Sequence, residues 1–419
     1  MRRLVLFFLC AASLAAATAT KTHLQFRAEA EAALVSKDYA AARTAYTRAL
    51  ALRPDSPRYL RNLAVACALD AHKDEALDAL LRLAGLGIVV RVETDAAFAS
   101  LQGTPEFTAI LEKLAANGAP RGKVDAFAEL PSQAGIIEGI AFRESTGDLF
   151  LGDVHLRCIW RRDRAGQLTR FTAEDAELLG VFGLALDEKH GALWAATSAL
   201  PEMSGFTPAL KGRAGLAEFD LASGKLRRVR AVPADGRDHV LGDLLIAPDD
   251  TIYLTDSAAP IIWELEPGNT QLTKLLESPN FISLQGLAIV GRSLLVSDYS
   301  NGLFAINPGS LEVRAIAPPP NTTLLGLDGF ISVPGGIIAV QNGIAPQRLV
   351  RISLSPDLAT VRKFEVLAAA LPGLDDLTLV TMAHGRPTFV SASGWEGFAP
   401  AKSAHPSAHA VKIFQLAAP

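Results

Sequence analysis

The chain has 419 residues, of which 49% are hydrophobic and 20% are charged. That composition is typical of a folded protein and excludes an intrinsically disordered one. The length exceeds what one hydrophobic core usually organises, so we expect two domains. The formal net charge is −4, with acidic and basic residues interleaved, and no nucleic-acid partner is expected.

The first twenty residues have the pattern of a secretory signal peptide. Arg2 and Arg3 precede an apolar run from Leu4 to Leu9, and small residues follow. We therefore expect residues 1–20 to be removed and the protein to be exported, to the periplasm or out of the cell. No later stretch is apolar over about 18 residues, so the mature chain should contain no transmembrane segment.

Residues 21–122 carry a helical repeat. Ala42 and Ala76 occupy equivalent places 34 positions apart, and Tyr46 and Pro54 follow Ala42 at fixed offsets. That period belongs to stacked helix pairs, and the segment KDYAAARTAYTRALALRPDSP resembles a tetratricopeptide repeat. The resemblance implies a protein or peptide partner for a small all-α domain. The alternative is that these helices serve as a spacer or docking platform for the second domain.

Residues 123–419 repeat a strand-rich unit of about 45 residues, a period that predicts a β-propeller. Six innermost strands begin at EGIAF (Glu138), FGLAL (Phe182), GDLLI (Gly242), QGLAI (Gln285), LDGFI (Leu327) and DDLTL (Asp375). We therefore predict a mainly β fold, a six-bladed propeller closed by pairing of the strands at Val124 and Ala410. The long segment from Ser198 to Leu216 is predicted to cover one mouth of the channel.

The part of the chain from Gly135 onward resembles the six-bladed propellers of the senescence marker protein, gluconolactonase and paraoxonase group. The resemblance implies a divalent cation in the channel, Ca²⁺ above all, and hydrolysis of lactones or related esters. In that group a glutamate, an asparagine and an aspartate hold the metal, and these fall here on Glu138, Gln285 and Asp328. Gln285 keeps the amide oxygen on a side chain that is one carbon longer.

Further acidic residues at strand starts should reach the same mouth of the channel, and Asp243 and Asp376 are the candidate catalytic groups. Two features of the group are missing, because its second asparagine falls on Gly242 and its paraoxonase-type histidine falls on Phe182. The acids also admit a structural interpretation, as caps of turns. That interpretation is the favoured one for the acids that end second strands, namely Asp153, Asp256 and Asp298.

Two functions are therefore open. One is a metal-dependent hydrolase of lactones or related esters with an altered site. The other is a non-enzymatic propeller that binds a small molecule at its mouth or a protein through its repeats. The carboxylates at strand starts favour the first function, and the missing asparagine and histidine favour the second.

Overall fold

The computed structural model describes residues 21–130, 135–174, 177–398 and 410–418. The expected signal peptide lies outside these residues. Within them, a helical segment precedes a six-bladed β-propeller, as the repeats predict. No helix in this part of the chain is both long enough and apolar enough to cross a membrane.

The helical segment stacks helix pairs. Its elements are α1 (His23–Val35), α2 (Tyr39–Leu52), α3 (Pro57–Leu69), α4 (Lys73–Gly85), a 3-10 helix (Ala96–Leu101) and α5 (Pro105–Ala116). The side chains of Asp38, Ser56 and Thr104 cap α2, α3 and α5 by accepting a backbone N–H three residues further on. Tyr46 is fully buried between the helices.

Each blade of the propeller is a four-stranded antiparallel sheet. Blade 1 contains β2 (Ile137–Arg143), β3 (Asp148–Asp153), β4 (Cys158–Arg162) and β5 (Leu168–Arg170). Blade 2 contains β6 (Gly180–Asp187), β7 (Ala192–Ser198), β8 (Ala214–Asp220) and β9 (Leu226–Ala231). Blade 3 contains β10 (Leu241–Ile246), β11 (Ile252–Asp256), β12 (Ile261–Leu265) and β13 (Thr273–Glu277).

The remaining blades complete the ring. Blade 4 contains β14 (Leu284–Val290), β15 (Ser293–Asp298), β16 (Gly302–Ile306) and β17 (Val313–Ala315). Blade 5 contains β18 (Leu327–Val333), β19 (Gly336–Gln341), β20 (Arg348–Leu354) and β21 (Val361–Ala369). Blade 6 orders β22 (Val380–Ala383), β23 (Arg386–Ala392), β24 (Val411–Leu416) and β1 (Val124–Leu130) from inside to outside. The short helix α6 (Trp395–Phe398) follows β23.

Closure of the ring joins the two ends of the propeller, as predicted. β1 pairs with β24 in an antiparallel register that sets Val124 opposite Leu416. The first and last propeller strands therefore share one sheet, and neither is left with two unpaired edges.

The innermost strands share one irregularity. In blades 1 to 5, pairing with the second strand is interrupted just after the innermost strand begins, at the pairs Glu138–Gly139, Phe182–Gly183, Gly242–Asp243, Gln285–Gly286 and Asp328–Gly329. Such interruptions redirect side chains out of the regular alternation of a strand. The first residue of each pair lines the channel at the same end of the propeller.

The predicted start of the sixth innermost strand, at Asp375, is wrong by three residues. In blade 6 Val380 pairs with Phe389, and in blade 1 Ile140 holds the equivalent place opposite Leu151. Thr378 lies two residues before Val380, as Glu138 lies two residues before Ile140, so Thr378 is the equivalent of Glu138. The DDL sequence instead belongs to the turn before β22, where the backbone N–H groups of Asp375 and Asp376 both donate to Ser391.

The helical segment contacts blades 4 and 5 at the end of the propeller where the innermost strands begin. Nη1 of Arg348, the first residue of β20, donates to the backbone oxygen of Gly87 at 3.1 Å. The backbone N–H of Val89 donates to the oxygen of Ala345 at 2.6 Å. The helices therefore stand beside the mouth of the channel. Their binding of a partner stays a prediction.

Candidate functional site

A cavity of about 190 Å³ lies where the innermost strands begin. Its polar lining consists of Glu138, Asp243, Ser257, Gln285 and Asp328. Its apolar lining consists of Phe182, Leu200, Val240, Leu379 and Trp395. The structure thus brings together four of the five predicted site residues, although they come from four different blades.

The cavity is built from two layers of equivalent strand positions. The upper layer contains Glu138, Phe182, Gly242, Gln285, Asp328 and Thr378, one from each blade. At the next position four blades have glycine, and the other two have Asp243 and Leu379. These two side chains also line a second cavity, of about 570 Å³, further along the channel. Asp243 and Leu379 therefore separate the two cavities.

Asp243 is held against blade 2. A Cβ atom on Gly183 would stand 2.7 Å from Oδ1 of Asp243, so only glycine leaves room for the carboxyl group. The same Oδ1 accepts a hydrogen bond from the backbone N–H of Leu244 at 2.9 Å. Burial raises the pKa of Asp243 to about 8, and the neighbouring charge of Asp328 adds to that effect.

Glu138 interacts with a residue that the sequence patterns do not identify. Nε1 of Trp395 donates to Oε2 of Glu138 at 2.6 Å. Burial raises the pKa of Glu138 well above its usual range, the charge of Asp328 raises it further, and the indole hydrogen bond opposes both effects. Trp395 is therefore the direct stabiliser of the Glu138 carboxylate.

Asp376 does not line the cavity. Its Oδ2 accepts hydrogen bonds from the backbone N–H groups of Trp395 at 2.9 Å and Gly394 at 3.1 Å, and from the hydroxyl of Ser393. These bonds fix the turn from which the indole of Trp395 reaches Glu138. The position of Asp376 assigns it to the support of Trp395, and its predicted catalytic role stays untested.

Asp328 likewise accepts a hydrogen bond from the side chain of a residue outside the strand starts. Nδ2 of Asn342, the residue after β19, donates to Oδ2 of Asp328 at 2.5 Å and to the backbone oxygen of Leu377 at 2.8 Å. Burial raises the pKa of Asp328 to about 7, and the Asn342 bond opposes this rise. Asn342 follows the second strand of its blade, so no pattern of strand starts could identify it.

Gln285 extends toward the gap left by Gly242. Its Nε2 donates to the hydroxyl of Ser283 at 3.1 Å, which orients the amide. Its Oε1 lies 3.8 Å from the point where a Cβ on Gly242 would stand. The longer side chain at position 285 therefore turns its amide oxygen toward the place where the resembled group has an asparagine.

The acids that end second strands have structural partners. Asp153, Asp256 and Asp298 each accept backbone N–H groups from adjacent turns. The indoles of Trp160 and Trp263 also donate to Asp153 and Asp256. These contacts confirm the structural interpretation of the three acids.

The oxygen atoms of the cavity restrict what it can bind. Among the described residues, no three His, Cys, Asp or Glu side chains are grouped as a metal site. A cation at Glu138 and Asp328 would therefore also need the amide oxygen of Gln285 or water. In the described part of the chain no Lys, Arg or His lines the cavity, so the buried carboxyl groups have no cationic side chain beside them.

No family model and no curated protein sequence matches the chain. Solved structures similar to it include a gluconolactonase from Xanthomonas campestris, at 18% identity and a TM-score of 0.49, covering 72% of this chain and 93% of that one. A PQQ-bound aldose sugar dehydrogenase from Streptomyces coelicolor has 18% identity and a TM-score of 0.45, with 71% and 99% covered. A luciferin-regenerating enzyme has 13% identity and a TM-score of 0.49, with 72% and 96% covered. These proteins have different activities, and the similarity concerns the propeller fold alone.

Proposed function

We propose that the protein is an exported hydrolase of lactones or related esters that depends on a divalent cation, Ca²⁺ in the first place. The observation that carries the proposal is the convergence of Glu138, Gln285 and Asp328 on one small cavity from three blades. Carboxylate and amide oxygens are the ligands that calcium prefers. The carboxyl groups are buried without a cationic side chain beside them, and a bound cation would offset that cost.

Glu138, Gln285 and Asp328 would hold the cation, with Trp395 and Asn342 each occupying one oxygen of the two carboxylates. A divalent cation at such a site supplies polarisation of an ester carbonyl and a lower pKa for bound water. Asp243 lies at the floor of the cavity, where burial raises the pKa of its carboxyl group, and this group would hold or accept a proton in the reaction.

The alternative is a propeller that binds a ligand without chemistry. It is favoured by Gly242 and Phe182, which stand where the resembled group has polar side chains. Chelation separates the two functions. A binding propeller keeps its ligand in EDTA, whereas a metal-dependent hydrolase loses its activity.

The first experiment is metal analysis of the mature protein together with its thermal stability in Ca²⁺ and in EDTA. We expect bound metal, a higher Tm in Ca²⁺, and loss of both effects in Glu138→Gln and Asp328→Asn. Glu312→Gln, at the exposed turn before β17, is the matched control and should behave as the wild type does. Metal-free protein whose Tm does not respond to Ca²⁺, Mn²⁺ or Zn²⁺ would contradict the proposal.

A further inference from the structure

The upper layer of the cavity has one gap. Five of its six positions carry a side chain, and the sixth is Gly242 in blade 3. Apart from its chain neighbours, a Cβ on Gly242 would meet only two atoms within 4 Å, Oγ of Ser257 at 3.0 Å and Oε1 of Gln285 at 3.8 Å. Both atoms are oxygens. A ligand group that fills the gap would therefore meet oxygens first.

These two oxygens face the gap as hydrogen-bond acceptors. The hydroxyl of Ser257 donates its proton to the backbone oxygen of Leu284 at 2.8 Å, so its Oγ has only lone pairs left to offer. Nε2 of Gln285 donates to the hydroxyl of Ser283 at 3.1 Å, and Oε1 is the amide atom next to the gap. Asp243, the residue after Gly242, adds a carboxyl group to the same cavity. A ligand group at this place should therefore be a donor.

An ammonium group satisfies these acceptors better than a hydroxyl group does. A hydroxyl donates one hydrogen bond and has lone pairs that need donors, whereas an ammonium donates three and accepts none. The remaining side-chain donor of the cavity, Nε1 of Trp395, is bonded to Glu138. In the part of the chain that the structure describes, each side-chain donor group of the lining thus already has an acceptor.

The charge and the aromatic lining of the cavity favour a cation as well. Glu138, Asp243 and Asp328 bring three carboxyl groups, and the lining within the described residues contains no Lys, Arg or His. A divalent cation balances two negative charges and leaves one. Phe182 and Trp395 also line the cavity, with ring centroids 6.5 Å apart. Aromatic faces attract ammonium groups, most strongly where water is excluded.

We infer that the substrate carries a primary ammonium group that occupies the gap at Gly242, so that the preferred substrates are small amino-substituted lactones or esters. The cavity of about 190 Å³ limits them to about one ring, because a cavity of about 150 Å³ accommodates benzene. The inference rests on the proposed function for its reaction. Recognition of the ammonium group is a property of the cavity, and it is measurable without turnover.

The binding test uses three lactams, which have the ring shape of a lactone but hydrolyse far more slowly. They are 5-aminomethyl-, 5-hydroxymethyl- and 5-ethyl-2-pyrrolidinone, which differ only in the terminal group of one substituent. Their dissociation constants are measured by calorimetry at pH 7 on the mature protein, in Ca²⁺ if metal analysis finds bound metal and in EDTA if it does not. We expect the aminomethyl compound to bind at least about tenfold more tightly than either of the others.

Two variants test where the ammonium group lies. Gly242→Ala fills the gap and Ser257→Ala removes an acceptor, so each should reduce the preference for the aminomethyl compound severalfold. Ser198→Ala is the matched control. Ser198 has the equivalent place in blade 2 and likewise donates to a backbone oxygen of the next blade, that of Leu241, but it does not line the cavity. Circular dichroism and Tm establish that each variant folds, and either test variant is sufficient if the other does not fold.

The outcomes separate this inference from the proposed function. A preference for the aminomethyl lactam that falls in Gly242→Ala or Ser257→Ala and persists in Ser198→Ala supports the inference, even for a protein that holds no metal and hydrolyses no lactone. Equal binding of the three lactams, tighter binding of a neutral one, or binding of none overturns it. A preference that survives both test variants, or that falls equally in Ser198→Ala, overturns it too. A metal-dependent lactonase without the preference would leave the proposed function standing alone.

Discussion

The indole of Trp395 and the carboxylate of Glu138 form a 2.6 Å hydrogen bond across 257 positions of sequence. Glu138 belongs to the first blade and Trp395 to the turn after β23 in the last blade. The bond therefore spans the junction where the ring of blades closes, and it opposes the rise that burial causes in the pKa of Glu138.

Trp395→Phe should weaken calcium binding. The substitution keeps the aromatic ring and removes the N–H donor, so the pKa of Glu138 rises and a proton competes with the cation. Hydrogen bonds to charged groups contribute about 1.5 to 3 kcal/mol, or roughly 10- to 100-fold in affinity. Calcium titration calorimetry at several pH values should show a deficit that shrinks as the pH rises. Trp160→Phe, which removes the equivalent bond to Asp153, should leave the affinity unchanged. An equal loss in both variants would contradict the role of Trp395.

Asp376→Asn should lower the calcium affinity, as Trp395→Phe should. Its carboxylate fixes the turn that carries the indole, so its replacement should weaken calcium binding less than loss of the indole donor does. The double variant should bind calcium about as well as Trp395→Phe alone, because Asp376 affects Glu138 only through the position of Trp395. Additive losses, or a loss of kcat without any loss of calcium affinity, would instead make Asp376 an independent catalytic group.

The contribution of Asp243 and Asp328 to the stability of the metal-free protein should fall as the pH rises from about 4 to about 8. The folded-state pKa values of Asp243 and Asp328, about 8 and about 7, lie above the usual 3.8 of an aspartate. Between these limits the native state binds more protons than the unfolded state does, so deprotonation favours unfolding.

Asp243→Asn should make the stability of the metal-free protein depend less on pH. The free energy of unfolding of this variant in EDTA should approach that of the wild type near pH 4 and exceed it at pH 8, by up to about 1.4 kcal/mol for each pKa unit of the shift, and its Tm should follow the same order. The exposed Asp74→Asn serves as the control and should follow the wild-type curve. Calcium should stabilise the wild type more at pH 8 than at pH 5. A variant that is less stable than the wild type at every pH would show that Asp243 is structural.

Arg348→Ala should loosen the helical segment from the propeller. Arg348 is only 4% exposed, and its guanidinium connects Gln341 in blade 5 to Gly87 in the helical segment. Losing both hydrogen bonds should cost about 1 to 3 kcal/mol and expose residues 117–123 to proteases. Limited proteolysis and Tm measure the effect, and Arg351→Ala, at an exposed position on the same strand, is the control. Unchanged cleavage would indicate that the other contacts between the helical segment and the propeller are sufficient to hold the two together without Arg348.

The sequence predicts the parts of this molecule that repeat. Six strand starts and a 34-residue helical period are visible because each unit buries an equivalent set of side chains, and Glu138, Gln285 and Asp328 could be aligned with one another for that reason. Trp395 and Asn342 are beyond such a prediction, because each follows a second strand and reaches a carboxylate of the cavity through the conformation of its turn.

The misplaced sixth strand has a related cause. Asp375 and Asp376 resemble the acidic strand starts of other blades. The register of the innermost strand, however, is decided by its pairing with the second strand. Because Val380 lies opposite Phe389, Thr378 is the residue of blade 6 in the upper layer of the cavity. The gap at Gly242 was visible as a missing side chain. The structure adds that the nearest atoms to this gap are Oγ of Ser257 and Oε1 of Gln285.

The pairing of β1 with β24 also has a consequence for how the chain reaches its folded state. A ribosome or an export channel that delivers the chain from its N-terminus releases β1 first among the propeller strands, and its partner emerges last. The helical segment can complete its local contacts early, but blade 6 cannot assemble until nearly the whole chain has emerged. During that interval β1 has an exposed edge that invites intermolecular pairing. Truncated or stalled chains should therefore be the aggregating species, and a chaperone that covers β1 would matter more than one that covers any other strand.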